Sequence, residues 1–108
     1  MPLYLLQVAY TPESWAKQVK SAENRLEAIR PAVEKLGGKV EGGWYTFGDY
    51  DIMALLNMPD NVSAAAFAIA AAAGGACKAV KTTPLMTVEE GMSALRKAGG
   101  AGYRAPST

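Results

Sequence analysis

Residues 42–56 read GGWYTFGDYDIMALL, two apolar runs that meet at Gly48 and Asp49. A two-residue hairpin turn of type II′ prefers glycine at its first central position. With Gly48 and Asp49 in the turn, Phe47 pairs with Tyr50, Thr46 with Asp51, Tyr45 with Ile52, and Trp44 with Met53. Side chains that oppose one another across an antiparallel pair share a face. Tyr45, Phe47, Tyr50 and Ile52 therefore fall together. Trp44, Thr46, Asp51, Met53 and Leu55 fall on the other face. The stretch predicts a hairpin built from KVEGGWYTF and DYDIMALLNMP.

Working outward, LYLLQVAY (residues 3–10) reads as the first strand. Thr11 is placed to cap a helix that begins with Pro12 and Glu13. Ser21 is placed to cap a second helical segment running to Leu36. Trp15, Val19, Ala22, Leu26, Ile29, Val33 and Leu36 form one apolar stripe across both segments. Pro31 removes a backbone donor and predicts a kink, and Gly37-Gly38 ends the helix. Beyond the hairpin, DNVSAAAFAIAAAAGG reads as a helix capped by Asp60 and stopped at Gly74. Its alanines predict a thin helix lying close to what it covers. ACKAVKTTPLM supplies a fourth strand. TVEEGMSALRKAGG opens with a capping box, Thr87 to Glu90, and closes on Gly99-Gly100.

The order is β-α-β-β-α-β with a C-terminal helix, an α+β, ferredoxin-like antiparallel sheet with both crossover helices on one face. Residues 1–99 are expected to form a single domain, and residues 100–108 a loosely ordered tail. An antiparallel sheet with one wet face alternates apolar and polar residues. Here Ile52, Ala54, Leu56 and Met58 oppose Met53 and Leu55, and Leu3 and Leu5 oppose Leu6 and Val8. Both faces want cover, and the helices supply one. A second copy packing its sheet against this one is the economical solution.

Composition narrows the function classes. The chain has 108 residues, half of them hydrophobic and 19% charged, with a net charge of +1. No global field recruits nucleic acid or an acidic membrane, and neither is expected as a partner. There is no histidine, which removes Ser-His and His-Cys catalysis, the usual zinc sites and histidine-ligated haem. Acid–base work would fall to Asp, Glu, Tyr, Lys or Cys. The single cysteine, Cys77, excludes an intrachain disulfide and fits a reducing compartment. Residues 3–10 lack the basic start of a signal peptide, and the run Ala64–Ala73 is about half a bilayer span. The chain reads as soluble and cytoplasmic.

YTPESWAKQV, RLEAIRPAVEKLGGK, YTFGDYDIMALLNMPDNVSAAA and GGACKAVKTTPLMTVEEGMSAL together resemble the GYD family of small bacterial proteins. The family is named for a Gly-acid-Tyr-Asp hairpin, here Gly48-Asp49-Tyr50-Asp51. The resemblance covers about residues 3–98, in order and with similar spacing. It implies a dimeric α/β barrel, in agreement with the two apolar sheet faces. It implies no settled activity, because the wider superfamily holds cofactor-free monooxygenases, lactone isomerases, haem enzymes and ligand-sensing domains.

The hairpin directs Asp51 onto a largely apolar surface, where it either finds donors or acts as a general acid or base. The structural reading pairs Asp51 with Thr46 or nearby backbone groups. Asp49 is read as a turn residue, and two carboxylates alone make a poor metal cage. Tyr4, Tyr10, Trp44, Tyr45 and Tyr50 can either line a pocket for a flat ligand or pack as core and interface. Lys78 and Lys81 fall on opposite faces of the fourth strand, one of them able to meet an acid or a ligand anion. Glu13 with Lys17, and Arg30 with Glu34, have the spacing of a solvated helix face.

Two readings of function follow. The first is a homo-oligomeric small-molecule-binding domain, its ligand between sheet and helices or in the dimer barrel. Tyr4, Tyr45, Tyr50, Trp44 and Lys81 are its candidate contacts. The second is a cofactor-free isomerase or monooxygenase acting on a small acidic, unsaturated or aromatic metabolite, with Asp51 as the catalytic residue. Neither reading calls for a cofactor or a metal.

Overall fold

A computed structural model describes residues 1–107. The elements run β1 (Leu3–Tyr10), α1 (Pro12–Lys20), α2 (Arg25–Lys35), β2 (Lys39–Tyr45), β3 (Ile52–Asn57), α3 (Asn61–Ala73), β4 (Cys77–Leu85) and α4 (Val88–Gly99). The four strands form one antiparallel sheet in the order β2-β3-β1-β4, the ferredoxin-like arrangement. The expected tail includes Thr108, which lies outside the described residues.

The strand register is the expected one up to Tyr45 and Ile52, but the ladder stops there, so residues 46–51 form a wider loop in which the expected Phe47–Tyr50 pair of a two-residue turn is not formed. Trp44 pairs with Met53 and Tyr45 with Ile52, and the Thr46 N–H donates to the Asp51 carbonyl at 2.9 Å. A bulge between Val40 and Gly42 shifts β2 farther from the turn. Gly48 has a φ of 126°, a conformation strongly disfavoured for a β-branched residue. Space is not the obstacle, since a β carbon there meets nothing within 4 Å. Gly48→Val should therefore lower stability by about 1 kcal/mol or more through backbone strain alone. An unchanged melting temperature would show that the turn does not need a left-handed residue.

The helices start and stop where short side chains can bond their ends. Thr11 Oγ1 accepts from the Ser14 N–H at 3.1 Å, and Asp60 Oδ1 from the Ser63 N–H at 2.7 Å. The Thr87–Glu90 capping box is complete, with bonds of 2.9 and 3.0 Å. At the end of α2, the Gly37 N–H donates to the Glu34 carbonyl and the Gly38 N–H to the Val33 carbonyl, both at 2.9 Å. This is the double bond of a Schellman stop, with Gly37 at a φ of 87°.

Two helix expectations are corrected. Ser21 does not cap the second segment. It ends α1, donating its N–H to the Lys17 carbonyl, while Asn24 Oδ1 accepts from the Glu27 N–H and caps α2. The four residues 21–24 break the helical phase, so Val19 leaves the apolar stripe and stands 84% exposed. Arg30 pairs with Glu27 at 3.2 Å rather than with Glu34, and also reaches the Val40 carbonyl.

The core lies between the sheet and its helices. Tyr4, Leu6 and Val8 of β1, Ile52, Ala54 and Leu56 of β3, Val33 of α2 and Phe67 of α3 are all buried there. The opposite face carries Leu3, Leu5, Met53 and Leu55, and no helix among the described residues packs over it. Leu5 lies directly across from Leu55, and Leu55 from Gly42, so the apolar patch crosses three strands.

The last helix stands apart. None of the α4 residues is buried, and α4 packs closely on no other element. The radius of gyration is 17.3 Å, against about 13 Å for a compact chain of ~100 residues. The α4 face carries Val88, Met92 and Leu95, exposed like the preceding Met86.

Candidate functional site

A cavity of about 330 Å³ opens between the sheet and helices α2 and α3. Its floor is Leu6, Val8 and Tyr10 of β1 with Ile52 and Ala54 of β3. One wall is the α2 side chains Leu26 and Ile29, the other the α3 side chains Phe67, Ala70 and Ala71. The α3 helix does lie close to the sheet, on β4, and its alanines beside Phe67 leave the chamber open on the α2 side. The volume lies at the lower end of small-molecule sites, typically ~300–1,000 Å³.

The lining is apolar apart from three side chains, Tyr10, Arg25 and Cys77. They come from the end of β1, the start of α2 and the start of β4. The three elements are tied together at this point. The Thr11 N–H donates to the Ala76 carbonyl at 3.0 Å, and Tyr10 and Cys77 face each other across the β1–β4 ladder at a register shift. Trp15 buttresses Tyr10 edge-on, with ring centroids 5.2 Å apart. Burial pushes the Tyr10 phenol above its ordinary value, against the opposing pull of the Arg25 guanidinium. Burial likewise raises the Cys77 thiol, again opposed by Arg25. For Arg25, burial acts to lower the pKa, but the bonded Glu23 carboxylate and the neighbouring Tyr10 phenol outweigh that and hold it above its ordinary value. Arg25 is therefore a fixed positive charge beside an apolar chamber.

Of the aromatics expected to line a pocket only Tyr10 lines this cavity, and none of Tyr4, Trp44, Tyr45, Tyr50, Asp51 and Lys81 does. Tyr4 is buried beneath α3, where its hydroxyl donates to Asn61 Oδ1. Trp44 lies across from Met53 on the uncovered sheet face. Lys81 is exposed on β4, across from Gln7. Tyr45 borders a smaller hollow with Trp15, Gln18 and Val19. Tyr50 and Asp51 sit in the hairpin loop.

Asp51 bonds to a different partner from the one its position suggested. Thr46 Oγ1 donates to the Tyr50 carbonyl at 2.7 Å, not to the carboxylate. Asp51 Oδ2 instead accepts from the Tyr10 N–H at 2.8 Å, while the Asp51 N–H donates to the Val8 carbonyl at 2.8 Å. The side chain extends the β3–β1 ladder where its backbone pairing stops, and holds the hairpin to the strand that ends at Tyr10.

Sequence reasoning named Tyr10 among the aromatics and missed Arg25. The available signal was a cation immediately before Leu26 in the apolar stripe. Among the described residues, no group of three or more His, Cys, Asp or Glu side chains could hold a metal ion. Among the same residues, no helix is long and apolar enough to cross a membrane.

No curated protein and no solved structure shows significant similarity to the chain. A family model described as the GYD domain does match, over residues 4–95, which spans every strand and all but the end of α4. With its Gly48-Asp49-Tyr50-Asp51 hairpin inside that match, the chain belongs to the GYD domain family.

Proposed function

We propose that this protein is a small-molecule-binding domain that works as a homo-oligomer, with its ligand seated between the sheet and helices α2 and α3. The observation that carries this reading is the cavity, apolar along its length and polar where Tyr10, Arg25 and Cys77 meet. Binding sites for small molecules combine a concave apolar wall with a few placed polar groups in this way. The cavity lining contains no carboxylate, and burial pushes the Tyr10 and Cys77 protons toward retention. Those features favour binding over turnover.

Filling the chamber tests it. Ala71→Phe puts a ring into the space beside Phe67. Native mass spectrometry of the purified wild type should find a small molecule attached, and the Ala71→Phe protein should carry none. A wild type and variant equally loaded, or equally empty even with apolar dyes supplied, would remove the cavity from consideration.

Assembly is supported by two unpartnered apolar surfaces, the open sheet face and the α4 stripe of Val88, Met92 and Leu95. Light scattering at micromolar concentration should give a particle heavier than 11.4 kDa. An 11.4 kDa mass throughout a dilution series would overturn the oligomer.

A further inference from the structure

We infer that the cavity takes a small organic acid, its carboxylate on the Arg25 guanidinium and Tyr10 hydroxyl and its apolar body over Leu6, Ile29, Ile52 and Phe67. The inference rests on the binding reading above and adds the chemical class of the ligand. Charge complementarity carries it. Arg25 is the one charged side chain among the lining residues, and it stands at the only polar corner they form. An ammonium group would meet this cation with no lining carboxylate to offset it. A neutral ligand could offer Arg25 an acceptor but no opposite charge, and a bond between opposite charges is the stronger kind.

Arg25 is already paired with Glu23, which does not close the site to an anion. The guanidinium is a fork of five donors, enough for two carboxylates. Glu23 is well exposed and lies outside the cavity, while Arg25 is about two-thirds shielded, with 31% of its side chain in contact with solvent. A ligand carboxylate arriving from inside would therefore meet the less hydrated side of the charge. Charge-assisted bonds are the stronger kind there. The chamber limits the body of the acid to a short chain or a single ring.

Cys77 provides the readout, because a molecule in the cavity covers a thiol that lines it. The probes are octanoate, octan-1-ol and octylamine, each titrated at pH 7 against the rate of Cys77 alkylation by iodoacetamide and against melting temperature. Octanoate should protect at concentrations at least about tenfold lower than octan-1-ol, the margin of one charged hydrogen bond. Octylamine should not protect. Arg25→Gln should abolish the preference for octanoate over octan-1-ol, and Arg25→Lys should keep part of it. Equal protection by octanoate and octan-1-ol in the wild type would overturn the acid and leave the cavity as a neutral-ligand site. An octanoate preference that survives Arg25→Gln would also overturn it. Protection by none of the three, as when a second copy's α4 already fills the groove, would overturn both the acid and the small-molecule reading.

Discussion

Leu55→Lys should reduce the proposed oligomer to single chains of 11.4 kDa while leaving the circular dichroism spectrum intact. Leu55 sits at the middle of the uncovered face, between Leu5 on β1 and Gly42 on β2. In a face-to-face pairing of two sheets this position is enclosed by the second copy. A lysine there would be largely stripped of water, since its direct cross-strand neighbours Leu5 and Gly42 carry no charge and Glu41 on the same face already bonds to Asn57. Burying an unpaired ion costs several kcal/mol after relaxation. Each ~1.4 kcal/mol is tenfold in affinity, so dissociation should rise by at least about a hundredfold. Sedimentation or light scattering across a dilution series reads this directly. A variant that keeps the wild-type mass at every dilution would show that the open sheet face is not where copies meet.

The second large effect is expected at the hairpin. Asp51→Ala should lower stability by about 1–3 kcal/mol, because it leaves the Tyr10 N–H without the acceptor it now has at 2.8 Å. Asp51→Asn should be milder, since the amide oxygen can take the same bond with less charge. Asp49→Ala should be milder still, as Asp49 is exposed at the turn and accepts no side-chain hydrogen bond among the described residues. Denaturant midpoints for the three variants give the order. An Asp51→Ala protein as stable as the wild type would show that this carboxylate is dispensable to the fold. It would then become the leading candidate for an acid with another task.

Much of the architecture is legible in the sequence because it is locally encoded. The two apolar runs flanking Gly48 set which residues oppose, and a period of two then assigns Trp44 and Met53 to one face even though the loop between them is wider than a two-residue turn. Thr87 and Glu90 mark a helix start within four residues. The break between α1 and α2 was legible, but its length was not, and the cap of α2 is Asn24 and not Ser21. Trp15, Val19, Ala22 and Leu26 keep a helical spacing straight across it, and only Asn24 capping from the far side disrupts the phase. The cavity was less legible still. Tyr10, Arg25 and Cys77 are far apart in the chain and meet only because β1 and β4 pair while α2 begins beside their ends. The alanines of α3 announce a slender helix, but not whether the space around it is closed or left empty.

The separation of α4 from the rest of the fold also makes its helicity conditional. A lone helix of 12 residues is marginal in water, because its first turn fixes several dihedral angles for one hydrogen bond. The capping box steadies its start, but its own chain buries none of its apolar stripe. Whatever covers Val88, Met92 and Leu95 therefore supplies most of the reason for that segment to stay wound. If α4 is an interface of the proposed oligomer, backbone amide exchange in residues 88–99 should be slow at high concentration and fast on dilution, while the central strands stay protected in both.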